Sequence, residues 1–339
     1  METVLLEKLF RRHFDETPDR INPLKGDASD RRIYRMQNAN RSVIGISGDN
    51  RAENEAFIYF TFHFKKYQVP VPEIYLAELD DGIYLEQDLG LYTLFEWMTT
   101  KREQAGFNEE ILSLYKKALE WLPRMQIQAG ATLDYSYCYQ HEVFGWDSMT
   151  WDLRYFQHRF LAHFFKNPIN RDELAKEFQC LVEHLLEEPP NYFLYRDCQS
   201  RNIMITANEP YFIDYQSGRR GALQYDVASL LYDAKANLPE AWRTLLLDHY
   251  LTACSEIGKT DKSRFLHYFY SFALIRVLQA FGAYGYLAVV RGKKGFLKSV
   301  PYALKNVCVL LEKADILQRL PLMRSILTQL TEDPSLQQL

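Results

Sequence analysis

Three polar residues near the middle of the chain have side chains and spacing suited to phosphoryl transfer. Asp197 is followed five positions later by Asn202, and Asp214 ends the next predicted β-hairpin. Phosphoryl transfer needs an acceptor hydroxyl held in line, a group that takes up its proton, and metal ions that bridge the phosphates. Asp197 is suited to orient and deprotonate the hydroxyl, while Asn202 and Asp214 carry the oxygen ligands that Mg2+ prefers. The pattern predicts a kinase that uses ATP and Mg2+ and acts on a hydroxyl group.

The same three residues also admit a purely structural interpretation. Asp and Asn are common in turns and at hairpin ends because their side chains hydrogen-bond to nearby backbone groups. Each residue alone would fit that explanation. Their combination, at this spacing and after a β-rich segment, favours the catalytic interpretation.

The order and spacing of these residues resemble the H-R-D-x-x-x-x-N and D-F-G elements of protein kinases, in the variant found in aminoglycoside phosphotransferases and choline kinases. Tyr195 stands in place of the histidine, and Tyr215-Gln216 in place of Phe-Gly. Flanking segments are similar to the kinases that phosphorylate the anomeric hydroxyl of N-acetylmuramate and N-acetylglucosamine in cell-wall recycling. These segments are SDRRIYR (29–35), YLEQDLG (84–90), IDYQ (213–216) and GALQYDVASLL (221–231).

The resemblance implies a small-molecule kinase, with an amino sugar as the first choice of acceptor. It also bears on Asp226, at the start of an apolar helical run. Asp226 is either a helix cap or, as the resemblance implies, an anchor of the catalytic loop through buried hydrogen bonds. Other small alcohols and aminoglycosides remain alternative acceptors, and a non-catalytic nucleotide-binding regulatory protein is the alternative from another class.

The phosphate-binding segments depart from the protein-kinase pattern. The first turn, residues 26–30, has one glycine, and Gly45 stands where the third strand of a kinase carries its lysine. Arg31, Arg32 or Arg35 could replace that cation, because a guanidinium holds phosphate oxygens bidentately. We assign this role to Arg32, with solvated strand arginines as the alternative.

The connection after the predicted sheet is expected to hold the nucleobase. Extended backbone around Glu86 and Asp88 could hydrogen-bond an adenine edge while apolar neighbours enclose the ring. An ordinary strand-to-helix connector is the alternative. On the preceding helix, Glu53 or Glu55 could orient the phosphate-binding arginine.

Two adjacent arginines follow the predicted metal ligand and are candidates for acceptor binding. Arg219 and Arg220 lie in a predicted flexible loop between two glycines, and they suit an anionic group such as the lactyl carboxylate of N-acetylmuramate or a phosphate. A solvated basic loop is the alternative. Gln199 and Gln216 could donate hydrogen bonds to sugar hydroxyls. Cationic acceptors fit less well, since they call for acidic or aromatic-cage clusters.

Two kinds of hydrophobic pattern predict the secondary-structure elements that position these residues. Residues 1–90 read as β-β-β-α-β-β, with the helix over 51–67 and a hairpin turn at Asp80-Asp81-Gly82. Helical periodicity dominates from 91 to 339, interrupted by short strands around the catalytic motif. We therefore predict an α+β, protein-kinase-like fold of two lobes, with nucleotide binding in residues 1–90 and the catalytic loop and acceptor site in 91–339.

The composition of the chain bears on its binding partners and its cellular compartment. The 339 residues carry a formal net charge of -4, without the basic excess typical of nucleic-acid binding. The five cysteines lack ligand-like spacing and indicate free thiols in a reducing cytoplasm. The apolar run 272–290 contains Arg276 and Gln279, so we expect a buried helix rather than a membrane span. The sequence leaves the oligomeric state open.

Overall fold

The computed structural model describes residues 2–24, 31–258 and 260–339. The helices are α1 (Glu2–Phe14), α2 (Arg51–Lys66), α3 (Leu94–Ala105), α4 (Glu109–Pro123), α5 (Trp146–Phe156), α6 (Ala162–Phe164), α7 (Arg171–Leu186), α8 (Leu223–Leu231), α9 (Glu240–Ile257), α10 (Lys262–Gly285), α11 (Val300–Lys313), α12 (Pro321–Glu332) and α13 (Pro334–Gln337). The strands are β1 (Arg20–Leu24), β2 (Arg32–Gln37), β3 (Ser42–Ser47), β4 (Ile74–Glu78), β5 (Ile83–Gln87), β6 (Tyr192–Leu194), β7 (Ile203–Thr206), β8 (Glu209–Phe212) and β9 (Arg219–Gly221). This architecture is mixed α+β, as predicted.

The chain divides into two compact units. The first comprises residues 1–142 and 201–218, and the second comprises 143–200 and 219–339. The first unit includes residues 91–142, which we had expected in the helical lobe. In this unit α3 contacts β7, and α4 contacts β8. The division into lobes near residue 90 stays a prediction.

A five-stranded antiparallel sheet in the first unit has the strand order β1-β2-β3-β5-β4, which confirms the predicted β-β-β-α-β-β pattern. On one face, Leu6 and Phe10 of α1 pack with Met36 and Leu85. Side chains alternate between the two faces of a strand, so adjacent residues contact opposite faces of the sheet. The opposite face therefore carries Ile33, Ile46 and Tyr84, which are cross-strand partners.

A two-residue turn joins β7 to β8 in the first unit. Ala207 and Asn208 have φ angles of 52° and 62°, the left-handed conformation that tight hairpin turns require. Ile203 pairs with Phe212 across this hairpin. The register brings the residues before β7 and after β8 to the same end.

In the second unit, β6 pairs with β9, and this pairing corrects the predicted flexible loop at 218–221. The absence of a side chain at Gly221 permits the β6–β9 pairing, because a Cβ atom at this position would lie only 2.3 Å from Leu194 Cδ1. Arg219 and Arg220 are therefore strand residues, and they point to opposite faces.

The long helix α10 forms part of the core of the second unit. With the π-helical turn Tyr286–Val290, it is the one helix in the described ranges that is long and apolar enough to cross a membrane. However, 61% of its most apolar window is buried in the protein. Gly285 lies against the backbone of Arg159, where a Cβ atom would be 1.9 Å from the carbonyl oxygen. This close packing is typical of a core helix, which agrees with the expectation from the sequence. The five cysteines all lie in the described ranges, and none of them forms a disulfide bond.

Candidate active site

The β7–β8 hairpin brings Asn202 and Asp214 together in the first unit. Ile213 N, next to Asp214, donates a 3.0 Å hydrogen bond to Asn202 O. Asp214 has a φ angle of 65°, an uncommon conformation outside glycine that often marks functional sites. Its Oδ1 accepts hydrogen bonds from Arg31 and from Gln216 Nε2, the latter at 2.9 Å. Its Oδ2 accepts none from the described residues, so an oxygen remains available to a cation.

Tyr215 holds the segment after Asp214 against α2. Its ring is fully buried and stacks on Phe57 at a centroid distance of 4.9 Å. Its hydroxyl is 2.6 Å from Thr61 Oγ1. A protein kinase has phenylalanine at this point of the motif, so Tyr215 supplies equivalent apolar packing and adds a hydrogen bond that fixes the ring.

Arg31 is the cation next to Asp214. Its side chain is 9% exposed, and besides the pair with Asp214 it lies 3.4 Å from Glu53 Oε1 and 3.3 Å from Tyr84 OH. Burial alone would lower the pKa of Arg31, but Tyr84, Asp214 and Glu53 raise it overall, so the guanidinium stays charged. Arg31 paired with Glu53 on α2 is one of the arrangements that the sequence had left open.

Strand alternation explains why Arg32 has different surroundings. Its guanidinium pairs with Glu2 of α1 and lies 3.4 Å from Asp49, with 47% of the side chain exposed. Arg32 thus lies on the α1 face of the sheet, whereas Arg31 reaches Tyr84 on the other face. The assignment of phosphate binding to Arg32 stays a prediction, and the geometry favours Arg31. The turn at 26–30 lies outside the described residues.

Gly45 lies on the α1 face as well. A Cβ atom there would be 2.8 Å from Met36 Sδ and 3.1 Å from Leu6 Cδ2. A lysine at this position would point into the α1 core, so its absence does not bear on the Asp214 side of the sheet. The neighbours Ile44 and Ile46 face that side.

Glu86 and Asp88 differ in how their side chains are used. Asp88 accepts two hydrogen bonds from Arg35, at 2.7 and 2.9 Å, and one from Gly90 N at 3.0 Å. Its carboxylate is therefore engaged in holding the end of β5, which leaves the backbone for any contact with a nucleobase. Glu86 Oε2 is buried and has no hydrogen-bond partner within the described residues. Burial raises the pKa of Glu86 to about 8, although Arg31 opposes the shift.

Asp197 lies in a loop of the second unit that is anchored on both sides. Asp226 accepts hydrogen bonds from Tyr195 N at 2.8 Å and Arg196 N at 3.0 Å. This is the anchoring role that the resemblance implied, and the N-cap position of α8 is Ala222 instead. On the other side, Asp233 accepts from Ser200 N at 3.2 Å. Asp197 is thus held between two fixed points.

A buried ion pair, absent from the sequence-based prediction, also positions this loop. Arg196, with a φ angle of 81°, donates from both Nη atoms to Asp152 of α5 at 2.8 and 2.6 Å. Asp152 is fully buried, and this burial raises its pKa while Arg196 opposes the rise. The guanidinium lies over the rings of Phe144 and Tyr225, 4.9 and 5.2 Å from their centroids. No local sequence pattern indicates this pair, because its members are 44 positions apart.

The remaining predicted site residues fall in both units. Gln216 is 5% exposed, and its Nε2 donates to Asp214 and, at 3.2 Å, to Glu53, so it helps to position the carboxylates. In the second unit, Gln199 N donates to Asp197 O at 2.9 Å. Arg219 is 3% exposed, whereas Arg220 is exposed on the other face of β9. The two arginines therefore do not present one joint anion site.

The donor set at Asn202 and Asp214 fits a magnesium ion. Across the described ranges there is no group of three or more His, Cys, Asp or Glu side chains that could hold a metal by themselves. Mg2+ usually takes only one or two carboxylates and completes its shell with phosphate and water oxygens. The side-chain oxygens of Asn202 and Asp214 agree with this coordination preference of Mg2+.

The fold and the site define a small-molecule kinase with a protein-kinase-like architecture. The chain belongs to the phosphotransferase enzyme family, whose family model matches residues 20–265. Over 292 residues it is 26% identical to the N-acetylmuramate/N-acetylglucosamine kinase of Pseudomonas aeruginosa, covering 84% of this chain and 81% of that one. The kinase of the same name from Pseudomonas putida is 25% identical over 302 residues, covering 87% and 85%.

Solved structures support the fold. An amicoumacin kinase in complex with AMP-PNP aligns with a TM-score of 0.63 at 13% identity, covering 90% of this chain and 92% of the other. The choline kinase of Streptococcus pneumoniae aligns with a TM-score of 0.57 at 13% identity, covering 92% and 99%. At this identity the likeness establishes the fold and leaves the acceptor open.

Proposed function

We propose that this protein transfers the γ-phosphoryl group of ATP to the anomeric hydroxyl of an amino sugar, N-acetylmuramate or N-acetylglucosamine, in the cytoplasm. The observation that carries the proposal is that a member of this family has both an anchored loop at Asp197, in the second unit, and the Asn202 and Asp214 pair, in the first unit. Two relatives that align over more than four fifths of the chain are named as kinases of these sugars. Their names support the choice of acceptor.

Each polar residue has one task in this proposal. Asp197 accepts the proton of the acceptor hydroxyl. The oxygen of that hydroxyl forms a bond to the γ-phosphorus of ATP, and the bond between the γ-phosphorus and the ADP oxygen breaks. Asn202 and Asp214 hold Mg2+, which when bound neutralises charge on the phosphates. Arg31, oriented by Glu53, donates to phosphate oxygens. Backbone near Glu86 and Asp88 holds the nucleobase.

The test is ATP consumption with Mg2+ against N-acetylmuramate, N-acetylglucosamine, other hexoses, choline and an aminoglycoside. We expect turnover with an amino sugar, and a product whose phosphorus couples to the anomeric proton in NMR. Asp197→Asn serves as the matched inactive control. Turnover only with choline or an aminoglycoside would contradict the assignment of an amino sugar as the acceptor. ATP binding without turnover of any acceptor would favour a non-catalytic nucleotide-binding protein.

A further inference from the structure

The carboxyl group of Glu86 lies on the face of the sheet that carries the proposed nucleotide site. Glu86 is two residues from Tyr84 in β5 and is the cross-strand partner of Ile44, so all three share one face. Arg31, which pairs with Asp214, contacts the Tyr84 hydroxyl on that face. Burial raises the pKa of Glu86 to about 8, and the charges of Arg31 and Asp214 act on this pKa as well. Glu86 therefore faces the Asp214 side of the sheet and not the α1 core.

Glu86 has no hydrogen-bond or ion-pair partner among the described residues, and its Oε2 is buried. Its neighbours in the chain are engaged: Gln87 Oε1 accepts from Glu73 N at 3.2 Å, and the Asp88 carboxylate is held by Arg35. Buried polar atoms nearly always have a partner, so an unpaired one calls for a specific explanation. A ligand that donates a hydrogen bond would supply the missing partner.

The parts of a nucleotide differ in whether they suit this carboxyl group. Triphosphate oxygens are anionic acceptors and cannot donate to it, whereas the amino group of adenine and the ribose hydroxyls can. The proposed function places the base against the backbone around Glu86 and Asp88, so the amino group is the donor expected beside Glu86. A carboxyl oxygen accepts a hydrogen bond in the neutral and in the ionised form, so this contact does not depend on the charge of Glu86.

We propose that the Glu86 side chain recognises the nucleobase by accepting a hydrogen bond from the 6-amino group of adenine. The inference rests on the proposed function and deepens it, because it names a side chain that selects ATP over nucleotides without this amino group. A base that lacks the amino group leaves the buried oxygen unpaired. Polar sites reject such analogues for this reason.

The test compares kcat/KM for ATP and for purine riboside triphosphate, which carries hydrogen in place of the 6-amino group. The wild type should prefer ATP by about 10- to 100-fold. Glu86→Leu should reduce this preference by at least about fivefold, because the acceptor oxygen is gone. This variant should fold, since it replaces an unpaired buried polar group by an apolar one. An unchanged preference in Glu86→Leu would overturn the proposal.

Two matched variants separate the hydrogen bond from other effects of substitution. Glu86→Gln keeps an acceptor oxygen and should retain the preference for ATP. Gln87→Leu changes the adjacent residue, on the opposite face of β5, and should also retain it. A loss of preference in either variant as large as in Glu86→Leu would contradict the assignment.

The nucleotide 2′-deoxy-ATP distinguishes the base from the ribose. It keeps the 6-amino group, so Glu86→Leu should change kcat/KM for ATP and for 2′-deoxy-ATP by the same factor. If the substitution instead removed a preference for ATP over 2′-deoxy-ATP, Glu86 would bind the ribose, and the assignment to the amino group would be overturned.

A binding measurement keeps this inference distinct from the proposed function. With Mg2+ and no acceptor, ATP should raise the unfolding midpoint of the wild type more than purine riboside triphosphate does, and Glu86→Leu should reduce the difference. If no sugar were phosphorylated, the proposed function would fail while this difference would still support the contact with the amino group. Equal shifts by the two nucleotides in the wild type would overturn the contact even if a sugar is phosphorylated.

Discussion

Replacing Arg31 by alanine tests which arginine serves the phosphates. The side chain is 9% exposed and contacts Asp214, Glu53 and Tyr84, so its removal leaves two neighbouring carboxylates without their cation. Breaking a buried ion pair costs about 3–5 kcal/mol, and a charge-assisted contact to phosphate contributes about 1.5–3 kcal/mol. We expect kcat/KM for ATP to fall by about 10- to 1000-fold, with most of the loss in KM.

The matched control is Arg32→Ala, one residue further along the chain. Arg32 is 47% exposed and pairs with Glu2 and Asp49 on the opposite face of the sheet. Exposed pairs of this kind contribute about 0–1 kcal/mol, so kcat/KM for ATP should change less than about fivefold. Arg31→Lys should be intermediate, since an ammonium group cannot reach all the partners of the guanidinium at once.

The assay is steady-state kinetics with varied ATP at saturating acceptor, supported by the ATP-induced thermal shift of each variant. Unfolding midpoints of the free proteins identify any loss caused by instability. If Arg31→Ala kept the wild-type KM for ATP, or if Arg32→Ala raised it as much, the reasoning from strand alternation would be refuted.

Two further predictions concern the buried charges. Asp152→Asn should lower the free energy of unfolding by about 3–5 kcal/mol, because it leaves the Arg196 charge buried without a counter-ion; urea titration measures this, and a loss below about 1 kcal/mol would contradict the role given to the pair. For Glu86, burial raises the pKa from 4.5 to about 8, so the folded protein retains a proton that the unfolded chain releases. Its stabilising effect is complete below pH 4.5 and is lost as the pH rises towards about 8. In the wild type we expect the unfolding midpoint to decline between pH 5 and 9, and Glu86→Gln should flatten this decline. Parallel curves for the two proteins would exclude Glu86 as its cause.

The parts of the fold encoded by local patterns could be predicted from the sequence. Alternating apolar residues located the N-terminal strands, and the Asp80-Asp81-Gly82 turn located the β4–β5 hairpin. The spacing of Asp197, Asn202 and Asp214 is a local signal because the loop and the hairpin are continuous in the chain. The Asp226 anchor followed from the resemblance alone.

Features that depend on tertiary packing could not be predicted in the same way. The choice between Arg31 and Arg32 depends on which sheet face α1 covers, and a shift of one residue reverses that assignment. The β6–β9 pairing joins two strands of three residues each, too short to show a period. The Asp152–Arg196 pair appears only when segments distant in the sequence are packed together.

The most direct test of the account is the turnover number of Asp197→Asn with ATP and an amino sugar, measured against the wild type. We predict that turnover falls by at least about 100-fold, because the hydroxyl loses the group that accepts its proton, while ATP binding is retained. Turnover within a fewfold of the wild type would contradict the assignment of Asp197 as the catalytic base.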